Sequence, residues 1–306
     1  MKLFVASSSF VAKPTILSLV ADKNYDLIGL ITNPDKATGR GKQIEANELA
    51  NWANLASINT FKPGSVDVLR SLVLENKPDI VLTIAYGRLI PQEILEIPKY
   101  GWINVHFSIL PKWRGAAPVQ WAILSGDTKT GISIFKLDKG MDTGPIYLQQ
   151  ETKIAVEEKS EQLLERLSLI GSELSIKTLE LIKNGVIPSP QDSTGVSLAP
   201  KFNKNDGRIE WTKRSDEIYN HYRALSANPG VWTSVGELRI KIDSLRISYG
   251  LEQLKPGAVV IDKEHLFIGT GNGVIEIEKL TPAGRNQMSA AEFIRGLTNR
   301  NGLTVG

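Results

Sequence analysis

Three polar residues between positions 104 and 142 have types and spacing suited to acyl chemistry: Asn104 and His106, two positions apart, and Asp142 downstream. Trp102 to Val105 is a short apolar run of strand type, and alternation along it places Asn104 and His106 on one side. An amide beside an imidazole suits attack on a carbonyl carbon whose oxygen turns negative. The amide donates to the developing oxyanion, and the imidazole donates to it or shuttles a proton. A carboxylate is then wanted to orient the ring and stabilise its charged form. Asp142 lies in the glycine-flanked turn Asp138-Lys139-Gly140-Met141-Asp142-Thr143-Gly144, a sensible place for it. Taken singly, an Asn, His or Asp near a strand end is usually a cap or turn residue. The specificity comes from the three in this order, with Ser108-Ile109-Leu110-Pro111 and Trp113-Arg114-Gly115-Ala116-Ala117-Pro118 between them.

The same stretch resembles the active-site region of the 10-formyltetrahydrofolate-dependent formyltransferases. The resemblance implies that Asn104, His106 and Asp142 are catalytic: Asn104 and His106 stabilise the oxyanion, and Asp142 holds His106 and relays a proton through water. It also implies that Ser108, Ile109, Leu110 and Pro111 contact the folate. Tyr86, Gly87, Arg88 and Leu89, after a fully apolar strand, match a segment that lies beside the pterin. Phe107 departs from the family pattern, which has a small residue there: the change is harmless if its side chain points away from the cleft, as alternation after His106 allows, and alters folate affinity if it does not. Ser7-Ser8-Ser9 stands where the family often has Gly-Thr-Pro.

The elements that would position these residues read as an α/β chain. Leu3 to Ala6, an apolar-periodic segment through Ile16 and Val20, and Asp26 to Thr32 open a doubly wound, Rossmann-like sheet. Helices over 49–56 and 66–74 precede a central strand, 79–85, apolar on both faces as a covered parallel strand is. A helix over 116–125, strands over 131–137 and 145–154, and a long amphipathic helix over 160–183 complete the first domain, residues 1–185. Residues 186–205, with Pro188, Pro190, Gly195 and Pro200, read as a linker. A helix over 215–225 and short strands at 238–242, 258–261, 266–269 and 273–280 suggest a small OB-like β-barrel in residues 206–306. The family likeness extends there through Asn228-Pro229-Gly230 and Leu280-Thr281-Pro282-Ala283-Gly284-Arg285, which implies a tRNA-contacting domain. Arg285, Arg295 and Arg300 are candidate phosphate contacts.

No Gly-x-Gly-x-x-Gly follows the first strand, so a dinucleotide site has little support. Gly41-Lys42 is not a P-loop, because no Ser or Thr follows the lysine. The polar loop 33–43 is basic and glycine-bracketed, and the resemblance implies that Lys36, Arg40 and Lys42 meet the acceptor end of an initiator tRNA. Such contacts suit phosphates and an unpaired end base.

Zero cysteines exclude disulfides and thiolate nucleophiles, and three histidines build no convincing metal cluster. A net charge of +3 with a pI near 8.9 is compatible with a nucleic acid partner without implying one. The apolar run at Leu3–Ala6 is too short for a secretory leader, and no stretch approaches a membrane span, so a cytoplasmic, monomeric enzyme is expected. The expectation drawn from the resemblance is transfer of a formyl group from 10-formyltetrahydrofolate to the α-amino group of methionine on initiator tRNA, without a metal. Rival readings keep the chemistry and change the acceptor to a nucleotide-linked amino sugar or to water, or make the chain an RNA-binding protein with a dead catalytic fold.

Overall fold

The computed structural model describes residues 1–38, 43–297 and 302–306. It divides into two compact units: residues 1–118, 129–153 and 162–200, and residues 119–128, 154–161 and 201–306.

In the first unit the strands are β1 (Lys2–Ala6), β2 (Asp26–Ile31), β3 (Lys36–Thr38), β4 (Gln43–Glu45), β5 (Thr60–Phe61), β6 (Ile80–Ile84), β7 (Trp102–His106), β8 (Lys129–Lys136) and β9 (Ile146–Lys153). Among the described residues, seven of them form one sheet in the order β5-β2-β1-β6-β7-β8-β9, and β3 pairs with β4 separately. The sheet is parallel from β5 to β7 and antiparallel at β8 and β9. Every residue of β6 is buried, as expected of a central strand covered on both faces.

Helices α1 (Lys13–Ala21), α2 (Glu48–Leu55), α3 (Val66–Asn76) and α4 (Gln92–Leu95) fill the crossovers. Asn47 and Ser65 cap α2 and α3 by accepting from Ala50 N and Val68 N, which satisfies donors a helix start otherwise leaves bare. On one face of the sheet Phe4, Ala6, Ile31, Val81 and Trp102 pack with Leu69 and Val73 of α3 and Ile94 and Leu95 of α4. Each Val, Leu, Ile or Phe side chain among them stabilises the fold by about 1.5–3 kcal/mol when fully buried. On the other face lies a long helix of residues 160–183, and Gly171 in it lets the sheet approach. A Cβ there would stand 3.1 Å from Val105 Cγ1 and 3.3 Å from Ile132 Cδ1.

Within the numbering, α5 spans Pro118–Leu124 and α6 is the helix Ser160–Lys183, with the bounds expected from its apolar stripe. The second unit carries α7 (Ser215–Leu225), β10 (Val231–Val235), β11 (Leu238–Ser248), β12 (Val259–Asp262), β13 (His265–Gly269), β14 (Val274–Pro282), β15 (Met288–Ser289) and α8 (Ala290–Arg295). The strand order is β10-β11-β14-β13-β12, all antiparallel, with β15 beside β14. The last residues close the sheet on itself. Val259 N donates to Leu303 O and Val305 N to Gly257 O on one side, while Gly306 N donates to Ser234 O of β10 on the other. Thr233, Ile240, Ile242, Leu266, Ile268, Ile277 and Leu280 are buried in the barrel.

Two differences from the sequence reading stand out here. Strand β10 was not anticipated, because Asn228-Pro229-Gly230 before it reads as turn. Strand β11 runs six residues beyond the expected Ile242 end, through a bulge between Ile242 and Leu245 where the apolar alternation slips.

Candidate active site

Asn104 and His106 leave the carboxyl end of β7 on one side, as alternation requires. Strand β6 runs parallel alongside, with Thr83 opposite Asn104 and Ile84 opposite Val105. The Thr83 hydroxyl lies 2.7 Å from Asn104 Oδ1 and 3.0 Å from Ile103 O. With its one proton given to the nearer acceptor, Asn104 Oδ1, Thr83 takes the carbonyl end of the amide and leaves its NH2 end as the donor.

His106 is 4 % exposed. Its Nε2 lies 2.8 Å from Trp113 O, and a carbonyl only accepts, so Nε2 carries the proton and Nδ1 is bare. Facing Nδ1 at 3.6 Å is Asp142 Oδ2, too far for a hydrogen bond. That same oxygen accepts from Gly115 N at 2.7 Å. Two acceptors thus face each other across a gap that a proton on Nδ1 would turn into an ion pair. Burial holds the imidazole below its usual 6.5, and the Asp142 charge and Trp113 carbonyl pull the other way. At neutral pH the ring is neutral and able to accept. Trp113 O engages the Nε2 proton of the neutral ring, while the Asp142 carboxylate, with one hydrogen bond from Gly115 N, keeps acceptor capacity facing Nδ1.

The loops carrying these groups are strained. Ala85, Trp113 and Asp142 have φ of 47°, 64° and 53°, a left-handed conformation that costs a non-glycine residue of order 1–2 kcal/mol. Hydrogen bonds hold them there. Asp138 Oδ1 accepts from Gly140 N and Thr143 Oγ1. Gly144 lies so close to β8 that an added Cβ would collide with Lys136 O.

Residues 108–111 are fixed from β8 and β9. Leu110 N and Gln149 Nε2 both donate to Ser133 Oγ, at 2.9 and 2.8 Å, while the Ser133 hydroxyl donates to Ser108 O at 2.7 Å. Ser108 Oγ donates to Lys112 O, and Leu110 O accepts from Gln149 Nε2. The peptide Leu110–Pro111 is cis. Ile109 is half-buried over Gly131. Phe107 points the other way: it is buried, and its Cε1 is near Gly171 of α6.

Tyr86 to Leu89 leave β6 beside this turn. The Tyr86 ring packs in the core among Phe4, Ile94 and Trp102, so only its backbone faces the strand ends, where Tyr86 O accepts from Asn33 Nδ2. Arg88 turns back to donate to Pro63 O at 2.6 Å. Leu89 is 90 % exposed, and a Cβ on Gly87 would meet nothing within 4 Å. Open backbone, an exposed apolar side chain and the rigid 108–111 turn fit a flat, partly apolar ligand. Lys36 is exposed in β3; Arg40, Lys42 and Arg300 lie outside the described residues.

Sequence reasoning did not find Thr83, Gly115, Ser133, Gln149 or Gln191, whose roles depend on partners far along the chain. Residues 186–205, read as a linker, carry hydrogen bonds throughout: Ser189 pairs with Ile146, and Arg114 N donates to Ser197 O while Ala199 N donates to Arg114 O.

A model of the family described as "Formyl transferase" matches residues 1–179, and one described as "Formyl transferase, C-terminal domain" matches residues 201–298. The chain belongs to the formyl transferase family. Within it, the methionyl-tRNA formyltransferase of Salinispora tropica is 38 % identical over 304 residues, 97 % of each chain. That of Thermobifida fusca is 37 % identical over 309 residues, covering 100 % of this chain and 99 % of the other. The fold also resembles HypX from Aquifex aeolicus in complex with tetrahydrofolic acid, with a TM-score of 0.68 at 16 % identity; the match covers 99 % of this chain and about half, 50 %, of HypX. Among the described residues, no helix is long and apolar enough to cross a membrane.

Proposed function

We infer that this chain formylates methionyl initiator tRNA, taking the formyl group from 10-formyltetrahydrofolate. The observation that carries the reading is the convergence of Asn104, His106 and Asp142 at one strand end, inside a chain similar along nearly its whole length to methionyl-tRNA formyltransferases. The donor supplies a carbonyl carbon on a nitrogen that can leave, and Ser108 to Pro111 with Tyr86 to Leu89 are the residues that would hold it.

The acceptor amine titrates near ~8 and is partly neutral at cellular pH, so it requires little activation. Asn104 Nδ2 donates to the formyl oxygen as charge builds on it. His106, neutral and bare at Nδ1, takes the amine proton there. Asp142, 3.6 Å away, stabilises the imidazolium so formed, and the proton is then available for the departing nitrogen. Trp113 O keeps the ring in the tautomer this requires.

For the acceptor, Lys36, Arg40 and Lys42 in the basic loop are assigned to the tRNA end. The barrel adds a groove of about 310 Å³ lined by Trp232, Arg239, Lys241 and Arg285, whose exposed cations suit phosphates.

The test is transfer of labelled formyl to methionyl initiator tRNA, with methionyl elongator tRNA and an amino-sugar nucleotide as rival acceptors. Transfer to initiator tRNA alone, weakened in Arg40→Ala with folate binding intact, is the expected outcome. Transfer to the sugar would overturn the acceptor, and folate binding with no transfer would overturn the reaction.

A further inference from the structure

The catalytic arrangement requires two loops to stay in register. The 113–117 loop supplies the Trp113 carbonyl and the Gly115 N–H, and the 138–144 loop supplies Asp142. Both are strained at their key residue, so neither keeps its shape unaided. The Asp142 carboxylate joins them through Gly115 N, and a second side chain, from outside both loops, ties their remaining groups. Gln191 Nε2 donates to Asp142 O and to Gly144 O, each at 2.8 Å. Its Oε1 accepts from Arg114 Nη2 at 2.6 Å and Nε at 3.2 Å. Two N–H groups and two lone pairs are the whole capacity of a glutamine amide, and all four are used.

Gln191 is itself anchored on both sides. Ile146 N donates to Ser189 O at 2.7 Å, which fixes the start of the segment on β9. Farther along, Trp113 N donates to Ser197 Oγ at 2.9 Å, and Ala117 N to Ala199 O at 3.1 Å. A Cβ on Gly115 would stand 2.7 Å from Ala199 O, so the segment and the loop are in close backbone contact. Residues 189–199 therefore strap one catalytic loop to the other.

We propose that Gln191 is a positioning residue for formyl transfer, setting the Asp142 carboxylate opposite His106 Nδ1 by tying the 138–144 loop to Arg114. The proposal rests on the acid–base roles given above to His106 and Asp142. The Asp142 charge, 3.6 Å from His106 Nδ1, raises the ring's proton affinity, so a loosened loop changes both the rate and that affinity. The residues assigned to the folate, 108–111, are held chiefly by Ser133 and Gln149; the strap reaches them through Ser197 N, 3.4 Å from Pro111 O, and Gln191 makes none of these bonds, so donor binding is spared.

The test uses the full chain with Gln191→Met, which keeps length and loses all four bonds, and Gln191→Glu, which keeps shape and loses both donors. Transfer from 10-formyltetrahydrofolate to methionyl initiator tRNA is measured against pH, and the His106 ring is titrated separately by NMR. We expect kcat to fall on the order of 10- to 100-fold, the scale of a small misplacement of catalytic groups. The KM for the donor should stay within about twofold, since the turn assigned to it is untouched. The His106 midpoint should move to lower pH in Gln191→Met, as in Asp142→Asn, and Gln191→Met should add little to Asp142→Asn; in Gln191→Glu the added carboxylate pulls the midpoint the other way, so that variant is read by kcat. An unmoved midpoint, or a kcat loss equal in both backgrounds, would overturn the proposal. If the wild type transfers no formyl group, the inferred reaction fails, while the NMR midpoint still decides whether Gln191 positions Asp142. If Gln191→Met does not fold, Gln191→Asn, which is neutral and one methylene too short to span the two loops, is titrated in its place.

Discussion

The strand end of the first unit and the groove of the second are both polar, yet they are built in opposite ways. Around His106 the charge is a single carboxylate, the ring is 4 % exposed, and backbone groups, Trp113 O and Gly115 N, hold the imidazole and the carboxylate. In the barrel groove Arg239, Lys241 and Arg285 are exposed, and Arg208 is exposed near Trp232. The guanidiniums of Arg239 and Arg208 lie 4.0 and 5.8 Å from the Trp232 ring centre. Buried groups act through geometry and low dielectric, so losing one collapses the function. Exposed cations act through a screened field, so losing one subtracts a share.

The sharpest way to break this contrast is at His106. His106→Ala should lower kcat by roughly 10²- to 10⁴-fold, the usual contribution of a general base, with tRNA binding unchanged in a filter assay. In the wild type the required form is neutral, and burial holds the ring below 6.5. The His106 limb of the rate profile should therefore fall only on acidification below the ring's lowered midpoint, while the acceptor amine, titrating near ~8, adds its own rise toward alkaline pH. The same sign governs stability: the unfolded chain binds this proton more readily than the folded one. Stability then rises with pH from the lowered midpoint up to about 6.5. A rate that falls as pH rises through neutrality would contradict the base role.

Asn104→Ala should come next, at roughly 10²- to 10³-fold in kcat with little change in either KM, since its amide donates only as charge develops. A raised KM with unchanged kcat would make Asn104 a binding residue instead.

How far these effects could be foreseen differs between the two regions. Asn104, His106 and the parallel strands around them were legible because alternation and apolar runs are local, and the 160–183 helix has its expected bounds. Hidden were the partners that decide what each head can do. Nothing near His106 in the chain announces that Trp113 turns left-handed and offers its carbonyl, and nothing in a Pro-rich stretch marks Gln191 as a clamp. Tyr86 looked like a cleft residue by position, yet its ring is in the core because Ala85 adopts φ 47° and turns the chain. Tertiary hydrogen bonds across 27 to 84 positions are simply not periodic.

On the groove side, Arg239→Gln should weaken tRNA binding several-fold and reduce the slope of log K against log salt by about 0.9, the share of one duplex phosphate contact. The kcat at saturating tRNA should not move. An unchanged salt slope would remove this face from the RNA interface.

The smallest effect sharpens the contrast from inside the first unit. Phe107 sits one residue from His106 and one from Ser108, so its position along the chain suggests a role in folate binding. Its side chain is buried and directed toward Gly171 of α6. Phe107→Leu keeps an apolar group of nearly suitable size, so it should cost less than about 1.5 kcal/mol of stability, read as a lowered denaturation midpoint. The KM for 10-formyltetrahydrofolate should stay put, because the turn at 108–111 is held from the other side by Ser133 and Gln149. A KM that rises while stability is unchanged would mean that this face of β7 communicates with the cleft. Neighbours in sequence would then share a function that the pleat assigns to opposite sides of the sheet.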